Sequence, residues 1–260
     1  MNKLCFDEIA PHKGHGNYRL VISAPELGIV LDVLADRKKE TLEAWFVARG
    51  TAWCAAVKSY CADMWDGYHG AAQAHLPNAT PVVDRFHVMK NLNEALSKIR
   101  RKLQKTLDEA TQKEMKGIRW LLVRNRADLT DEQRQQLDQM LTYSSELKIC
   151  YELKERFREI FNAPLSRDEA EAKLEDWMAL ALATGFSAMQ TFVNTLRNWK
   201  ASLLNYFIDR LNNGFAEGVN TKIKLILRRA FGFRKFESLR LHILVAFEPK
   251  SQPAVMELSR

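Results

Sequence analysis

The chain has 260 residues, of which 39 are Lys or Arg and 32 are Asp or Glu, so its formal net charge is +7 and its pI is near 9.2. This length suits one large domain or two modest ones, and 47% hydrophobic residues are enough for a packed core. No run approaches the roughly 18 consecutive apolar residues of a membrane span, and the first residues, MNKLCFD, hold no apolar signal-peptide core, which argues against membrane insertion and secretion.

The first third of the chain predicts strands that alternate with helices. Short apolar runs bounded by Pro or Gly indicate five strands, and two helical patterns lie among them. The strands are expected near residues 4–9, 18–23, 28–34, 56–62 and 81–84, and the helices near 38–48 and 67–76. The first three strands fit an antiparallel meander. The order β-β-β-α-β-α-β therefore predicts an α/β fold with a mixed five-stranded sheet and flanking helices.

Beyond residue 88 the pattern is almost entirely helical. Amphipathic segments are expected at 88–125, 131–141, 145–161, 167–184 and 187–210, followed by a turn at 212–214 and a helix at 215–229. Thr130 with Gln133, and Ser166 with Glu169, have the spacing of capping boxes. Trp120, Trp177 and Trp199 occupy amphipathic positions and are expected in the core of this helical region. The sequence thus predicts one sheet-based domain interrupted by a helical insertion.

The cysteines and the early histidines do not indicate a metal site. Cys5, Cys54, Cys61 and Cys150 show no CxxC spacing and are expected to be reduced thiols in the core. His12 and His15 have the spacing of a metal pair. Because their loop is rich in Lys and Gly, solvated histidines or contacts to DNA phosphate are the better interpretation.

Three carboxylates stand where a fold would bury or gather them. Asp7 lies inside the first apolar strand, where an acid is costly unless a cationic group compensates it. Asp63 ends the fourth predicted strand, and Glu217 lies in the first helical turn after Gly214, where the helix dipole favours its ionised form. Such carboxylates can converge on a pair of divalent cations, and oxygen ligands suit Mg²⁺ or Mn²⁺ better than zinc.

The other early acids receive a plainer interpretation. Glu8 alternates to the strand face opposite Asp7, so a structural or salt-bridging role is favoured over metal binding. Asp32 and Asp36 are expected to direct their charges into solvent.

Several sequence blocks carry a family resemblance. They are Phe6–Glu8, Lys13–Tyr18, Asp36–Leu42, Asp63–Met64 with Tyr68, Pro77–Ala79, Val83–Val88, Asn213–Lys224 and Arg228–Arg234. In this order they resemble the catalytic domain of bacterial insertion-sequence transposases of the ISL3 family, a DDE group with an RNase H-like fold. The resemblance implies an RNase H-like core at 1–87, a helical insertion at 88–210, and C-terminal core helices with the third acid at 211–260.

The resemblance also implies a catalytic triad with two Mg²⁺ or Mn²⁺ ions. Asp7 and Glu217 correspond to its first and third acids, and both Asp63 and Asp84 lie in family-like blocks that can supply the second. Asp63 is preferred because the second acid follows the fourth strand in this fold. Asp84 would then support the site by holding His87 in one tautomer, although a buried His87 bonded to backbone remains an equal alternative.

The implied function is metal-dependent DNA cleavage and strand transfer on transposon ends and target DNA, by a homo-oligomer in the cytoplasm at the nucleoid. Family members carry an N-terminal zinc-binding element and a helix-turn-helix before the first acid. Because Asp7 lies six residues from the start, a truncated form is expected. One alternative is a catalytically idle remnant that binds DNA or multimerises. A host nuclease acting on RNA–DNA hybrids is disfavoured, because the Phe215–Arg234 block matches transposases throughout.

Positive charge is concentrated in two stretches. Residues 222–240 contain seven cations and one acid, a net +6, and residues 85–126 contain twelve cations and four acids, a net +8. Glu217, Asn220, Lys224 and Arg228 share one helical face, which can hold metal at one end and phosphates along the rest. The aromatic residues at 231, 233 and 236 are either interleaved with this charge or ordinary core. The residues proposed to bind DNA are Lys222, Lys224, Arg228, Arg229 and Arg234.

Overall fold

A computed structural model describes residues 2–10 and 18–248. Its five strands are β1 (Lys3–Ile9), β2 (Arg19–Ala24), β3 (Ile29–Leu34), β4 (Ser59–Ala62) and β5 (Thr80–Val83). The helices described up to residue 123 are α1 (Lys39–Arg49), α2 (Thr51–Ala56), α3 (Asp66–His75), α4 (Arg85–Gln104), α5 (Glu109–Glu114) and α6 (Ile118–Val123). Those after it are α7 (Asp131–Leu141), α8 (Ser145–Asn162), α9 (Arg167–Ala183), α10 (Ser187–Leu204), α11 (Tyr206–Asp209), α12 (Gly214–Arg229) and α13 (Phe236–Ala246).

The five strands form one mixed sheet in the order β3-β2-β1-β4-β5. The predicted meander is confirmed, since β1 pairs antiparallel with β2, and β2 pairs antiparallel with β3. β4 pairs parallel with β1, and Cys5 stands opposite Cys61 in that register. The predicted α/β fold is therefore confirmed, and it is consistent with an RNase H-like DDE domain.

Alternate residues of β1 face two different apolar clusters. Leu4 and Phe6 belong to the cluster that contains residues of α1 and α3. Ile9 belongs to the other, with Val219 and Ile223 of α12. Because successive strand residues point to opposite faces of a sheet, Asp7 shares the α12 side with Ile9. Full burial of each large apolar side chain stabilises the fold by roughly 1.5–3 kcal/mol.

The chain divides into two compact units. One comprises Met1–Val82 with Leu211–Arg260 and is called here the sheet unit, and the other comprises Val83–Arg210 and is called the helical unit. The domain boundaries at 87/88 and 210/211 stay a prediction. The core of the helical unit contains Phe157, Trp177 and Phe192, whose rings contact one another edge to face.

Both predicted capping boxes are present. The Thr130 hydroxyl accepts from the Gln133 N–H and the Ser166 hydroxyl from the Glu169 N–H, with the reciprocal bond formed in each case. The four cysteines are buried thiols, as expected. In the part of the chain that the structure describes, no helix combines the length and apolarity needed to cross a membrane.

Three predicted elements are wrong in detail. The expected strand at 56–62 begins only at Ser59, because a helix that starts after Gly50 continues to Ala56, and a short apolar run does not distinguish strand from helix. The expected helix at 88–125 is three helices, since Asp108 caps a new one and Gly117 adopts a φ of 90°. The expected helix at 187–210 ends at Leu204, and α11 follows it.

The prediction that Trp120 lies in the core is also wrong. Its side chain is 65% exposed, whereas Trp177 is buried as expected. Ile118, Leu121 and Leu122 supply the buried face of α6. The break before α6 shifts the helical phase, so a position that appeared inward in one continuous helix faces outward in this short one.

Candidate active site

Asp7 is buried in the middle of β1 and both of its carboxylate oxygens accept hydrogen bonds. Its exposed fraction is 7%. Oδ1 accepts from the Glu8 N–H at 2.8 Å, and Oδ2 accepts from Asn220 Nδ2 at 2.7 Å. Both of these donors are neutral groups. Together they fix the orientation of the carboxylate.

Two asparagines fasten α12 to β1. Asn213 precedes the helix and donates through Nδ2 to the Phe6 carbonyl at 3.3 Å. Asn220, two turns further on, bonds to Asp7 and also donates to the Glu8 carbonyl at 3.2 Å. Glu217 lies one turn before Asn220, on an exposed position of the first helical turn. The helix that carries Glu217 is therefore attached to the strand that carries Asp7.

Asp63 follows the last residue of β4 and is partly buried. If the β1–β4 register is continued by two residues beyond Cys5 and Cys61, Asp63 stands opposite Asp7. Neighbouring strands lie about 4.8 Å apart, so this register favours close approach of the two acids. The Asp63 carbonyl contacts His69 Nε2 at 3.1 Å, and burial lowers the pKa of His69, which keeps its imidazole neutral.

Asp84 directly follows β5 and caps α4. Oδ1 accepts from the Phe86 N–H at 3.3 Å, and Oδ2 contacts His87 Nδ1 at 2.8 Å. The capping residue is buried at 2% exposure, whereas the His87 side chain is 26% exposed. The carboxylate thus orients an accessible imidazole.

Glu8 and Asp32 both take part in structural contacts. Glu8 accepts from the Tyr68 hydroxyl at 2.7 Å and from Arg37 at 2.9 Å, in agreement with the salt-bridging role predicted for it. The prediction that Asp32 faces solvent is wrong. Asp32 is buried at 5% exposure, accepts from Trp45 Nε1 at 2.9 Å, and pairs with Arg240 at 2.6 Å. The bond to Asp32 raises the pKa of Arg240.

All five cations proposed to bind DNA are exposed: Lys222, Lys224, Arg228, Arg229 and Arg234. Lys222 differs, because its Nζ contacts the Ala246 carbonyl and lies 4.2 Å from the centre of the Phe247 ring. We call the other four, with Lys235, the α12 basic surface. His12 and His15 lie outside the described residues.

The helical unit contains a second basic surface, a concavity of about 670 Å³ that we call the α4 groove. It is lined by Lys98, Arg100, Arg101, Lys102, Gln104, Lys105 and Gln112, without an acidic residue. Burial and the neighbouring Arg101 and Arg119 lower the pKa of Arg100. Like charges crowded in this way favour an anionic occupant.

The sequence placed Asn220 on the same face as Glu217 but did not predict its bond to Asp7. The signal was the i, i+3 spacing, which indicates a shared face without indicating what that face contacts. The partners of the bond are 213 residues apart in the chain.

Comparisons with known proteins agree with the sequence blocks. A family model described as a transposase, of the ISL3 DDE type, matches residues 4–243. The transposase of insertion sequence element IS1001 from Bordetella parapertussis is 32% identical over 249 residues, covering 94% of this chain and 60% of the relative. The transposase of IS1557 from Mycobacterium tuberculosis is 25% identical over 262 residues, covering 92% and 58%. No solved structure matches.

The chain therefore spans about 60% of the length of the curated relatives it matches. The family match covers nearly all of the chain, including the strand of Asp7, the β4 and β5 ends, and the helix of Glu217. The chain belongs to the ISL3 family of DDE transposases.

Proposed function

We propose that this chain is a catalytic core that cleaves DNA phosphodiesters and joins DNA strands, with Asp7, Asp63 and Glu217 as its metal-binding acids. The observation that carries the proposal is the Asn220–Asp7 hydrogen bond of 2.7 Å, since it attaches the Glu217 helix to the Asp7 strand. The β1–β4 register supports Asp63 as the partner of Asp7. Membership of a transposase family supports the reaction class.

The donor set fits hard divalent cations. The three acids supply oxygen ligands, and the buried Asn220 Oδ1 accepts no hydrogen bond among the described residues. When bound, two Mg²⁺ or Mn²⁺ ions supply positive charge that stabilises the attacking and leaving oxygens of an in-line displacement. A water or a DNA 3′-hydroxyl is the nucleophile, so no covalent protein–DNA intermediate is needed.

The hydrogen bonds of Asp84 favour a supporting role for it. One of its oxygens caps α4 and the other holds His87, so both already have protein donors. Asp63 directly follows β4, and the β1–β4 register, if continued by two residues, would bring it opposite Asp7, which makes it the better second acid. Asp84 then orients His87 and holds its imidazole in one tautomer.

Both basic surfaces support binding to the DNA backbone. The α12 basic surface continues the helix that carries Glu217, and the α4 groove presents five cations without an acid. Lys and Arg that neutralise phosphates release counterions, so DNA affinity should fall steeply as salt rises. A homo-oligomer on DNA is part of the same proposal.

Nicking of a supercoiled plasmid in Mg²⁺ or Mn²⁺ tests the proposal. Asp7→Asn and Glu217→Gln should each lower the nicking rate by roughly a hundredfold or more, because each removes a charged metal ligand. Glu237→Gln, which changes an exposed acid at the start of α13, is the matched control and should leave the rate unchanged.

Equal nicking by the wild type and both variants would contradict the assigned acids. DNA binding without any nicking by the wild type would instead favour the catalytically idle, DNA-binding alternative. The α4 groove and the α12 basic surface support this alternative, because both could bind DNA without catalysis.

A further inference from the structure

Phe231 has an unusual backbone conformation and an unusual environment. It lies two residues after the end of α12 with a φ of 51°, and its side chain is fully exposed at 101%. A left-handed conformation is unfavourable for a residue with a Cβ, and a bulky aromatic residue rarely adopts it outside a turn. The turn is closed by hydrogen bonds from Phe231 N to Arg228 O at 3.3 Å and from Gly232 N to Leu227 O at 3.0 Å.

Packing does not account for this conformation. Phe233 and Phe236, which follow it closely, pack against the apolar cluster of β1, α12 and α13. Phe231 is absent from that cluster and presents its whole ring to solvent. The two hydrogen bonds of the turn are those of a helix C-cap and account for its φ, so the full exposure of the ring is the feature that indicates a role outside the fold.

The surroundings of Phe231 are strongly basic. Arg228 and Arg229 precede it, Arg234 and Lys235 follow it, and all four side chains are exposed. Residues 222–240 of the sequence contain a single acid, Glu237. An aromatic ring surrounded by cations matches a nucleic-acid strand, because the cations neutralise phosphates while the ring stacks on a base.

We propose that Phe231 stacks on an unpaired or partly unstacked base of DNA held by the α12 basic surface. This inference rests on the proposed function in one respect, namely that the ligand is DNA. It does not require catalysis, since stacking needs no metal and no strand cleavage. The ring would insert between bases and stabilise locally opened DNA.

The test uses two fluorescent 30-base-pair DNA duplexes, without divalent metal, in a binding titration. One is fully paired and the other carries a central 2-aminopurine in a mismatch, whose fluorescence changes on stacking. The variants are Phe231→Ala, Phe231→Trp and Phe231→Gly, and Leu241→Ala is the control for loss of an exposed apolar side chain of the same unit.

The wild type should bind the mismatched duplex more tightly than the paired one and change the 2-aminopurine signal. Phe231→Ala should weaken binding to the mismatched duplex about tenfold, Phe231→Trp should restore it, and Leu241→Ala should match the wild type. Phe231→Gly should weaken binding as much as Phe231→Ala. Its Tm should rise by about 2–4 °C, because glycine adopts this φ without strain.

Wild-type affinity and 2-aminopurine signal in Phe231→Ala would overturn the inference. So would binding of anionic phosphatidylserine vesicles with no binding of either duplex, since the surface would then recognise membranes. If binding depends on Phe231 but Mg²⁺-dependent nicking is absent, the inference stands and the proposed catalysis fails. If nicking depends on Asp7 but binding ignores Phe231, the inference alone fails.

Discussion

The sheet unit and the helical unit use buried charge differently. In the sheet unit the buried acids connect distant parts of the chain, since Asp7 bonds Asn220 213 residues later and Asp32 bonds Arg240 208 residues later. In the helical unit the buried Lys154 donates to the carbonyls of Leu122 and Arg124, about thirty residues earlier. Buried acids thus fasten the C-terminal helices to the N-terminal strands, whereas the buried lysine closes a local loop.

This difference matters for the proposed site. The helix that carries Glu217 returns to the sheet only after the whole helical unit, so its position depends on bonds made late in the chain. The Asp7 and Asp32 contacts supply such bonds at α12 and α13. In the sheet unit, buried polar contacts therefore position α12 and α13, the helices that carry the proposed catalytic and DNA-binding groups.

The largest effect is expected from Asp32→Ala. This substitution leaves the buried Trp45 indole N–H without its acceptor and the partly exposed Arg240 without its carboxylate, so it should destabilise the sheet unit by about 2–4 kcal/mol. The measurement is chemical denaturation, and Glu40→Ala, at an exposed position of α1, is the control. A decrease in the free energy of unfolding below about 1 kcal/mol would contradict the comparison between the two units, because Asp32 would then contribute no more than a surface ion pair.

Lys154→Met should change how stability depends on pH. Burial lowers the pKa of Lys154 to about 8, below its ordinary value of 10.5. The cost of the buried charge is therefore complete below pH 8 and disappears as the pH rises to 10.5, because the folded state releases its proton first. The wild type should gain up to roughly 3 kcal/mol relative to Lys154→Met over that interval. Denaturation at several pH values measures the gain.

Lys148→Met, which replaces an exposed lysine of the same helix, should show no such pH dependence relative to the wild type. A flat difference between the wild type and Lys154→Met from pH 8 to 10.5 would contradict the account. It would mean that the buried amine keeps its ordinary pKa despite its burial.

The smallest effect is expected at Asn220. Asn220→Ala removes the amide that orients Asp7 and should lower the nicking rate about 10- to 100-fold while DNA affinity is retained. Asn220→Asp places a second carboxylate beside Asp7, which raises the apparent pKa of the pair, so its activity should be lost at a higher pH than that of the wild type. Thr221→Ala, one residue further along α12, is the control.

A pH profile of Asn220→Asp identical to that of the wild type would remove Asn220 from the site. It would also weaken the comparison between the units, since the bond to Asp7 would then only hold the helix in place. A shift in the pH profile of Asn220→Asp with an unchanged free energy of unfolding would show that the bond acts on the site and not only on stability.

Much of the fold follows from local sequence patterns. Apolar runs predicted all five strands, and helical spacing with capping boxes predicted α7, α8 and α9 closely. The division of 88–125 into three helices was not predicted, because amphipathic spacing continues across the breaks. The left-handed conformation of Gly117, which separates two of these helices, does not change the apolar pattern. Local patterns define elements better than they define breaks.

The site was less predictable, because its contacts are long-range. Asp7 stood out as an acid inside an apolar strand, but nothing near it in sequence points to Asn220. Asp32 was predicted to face solvent, because nothing near it in sequence points to its partner Arg240 on the last described helix. The exposure of Phe231 was equally hidden, since its spacing resembles that of Phe233 and Phe236, which pack against the core.

The most direct test of the proposed site is anomalous diffraction from crystals grown with Mn²⁺. The account predicts Mn²⁺ bound by carboxylate oxygens of Asp7, Asp63 and Glu217, with Asp84 still bonded to His87. Mn²⁺ held by Asp84 in place of Asp63 would change the second acid while keeping the function. Mn²⁺ bound away from both Asp7 and Glu217, or not bound at all, would contradict the account.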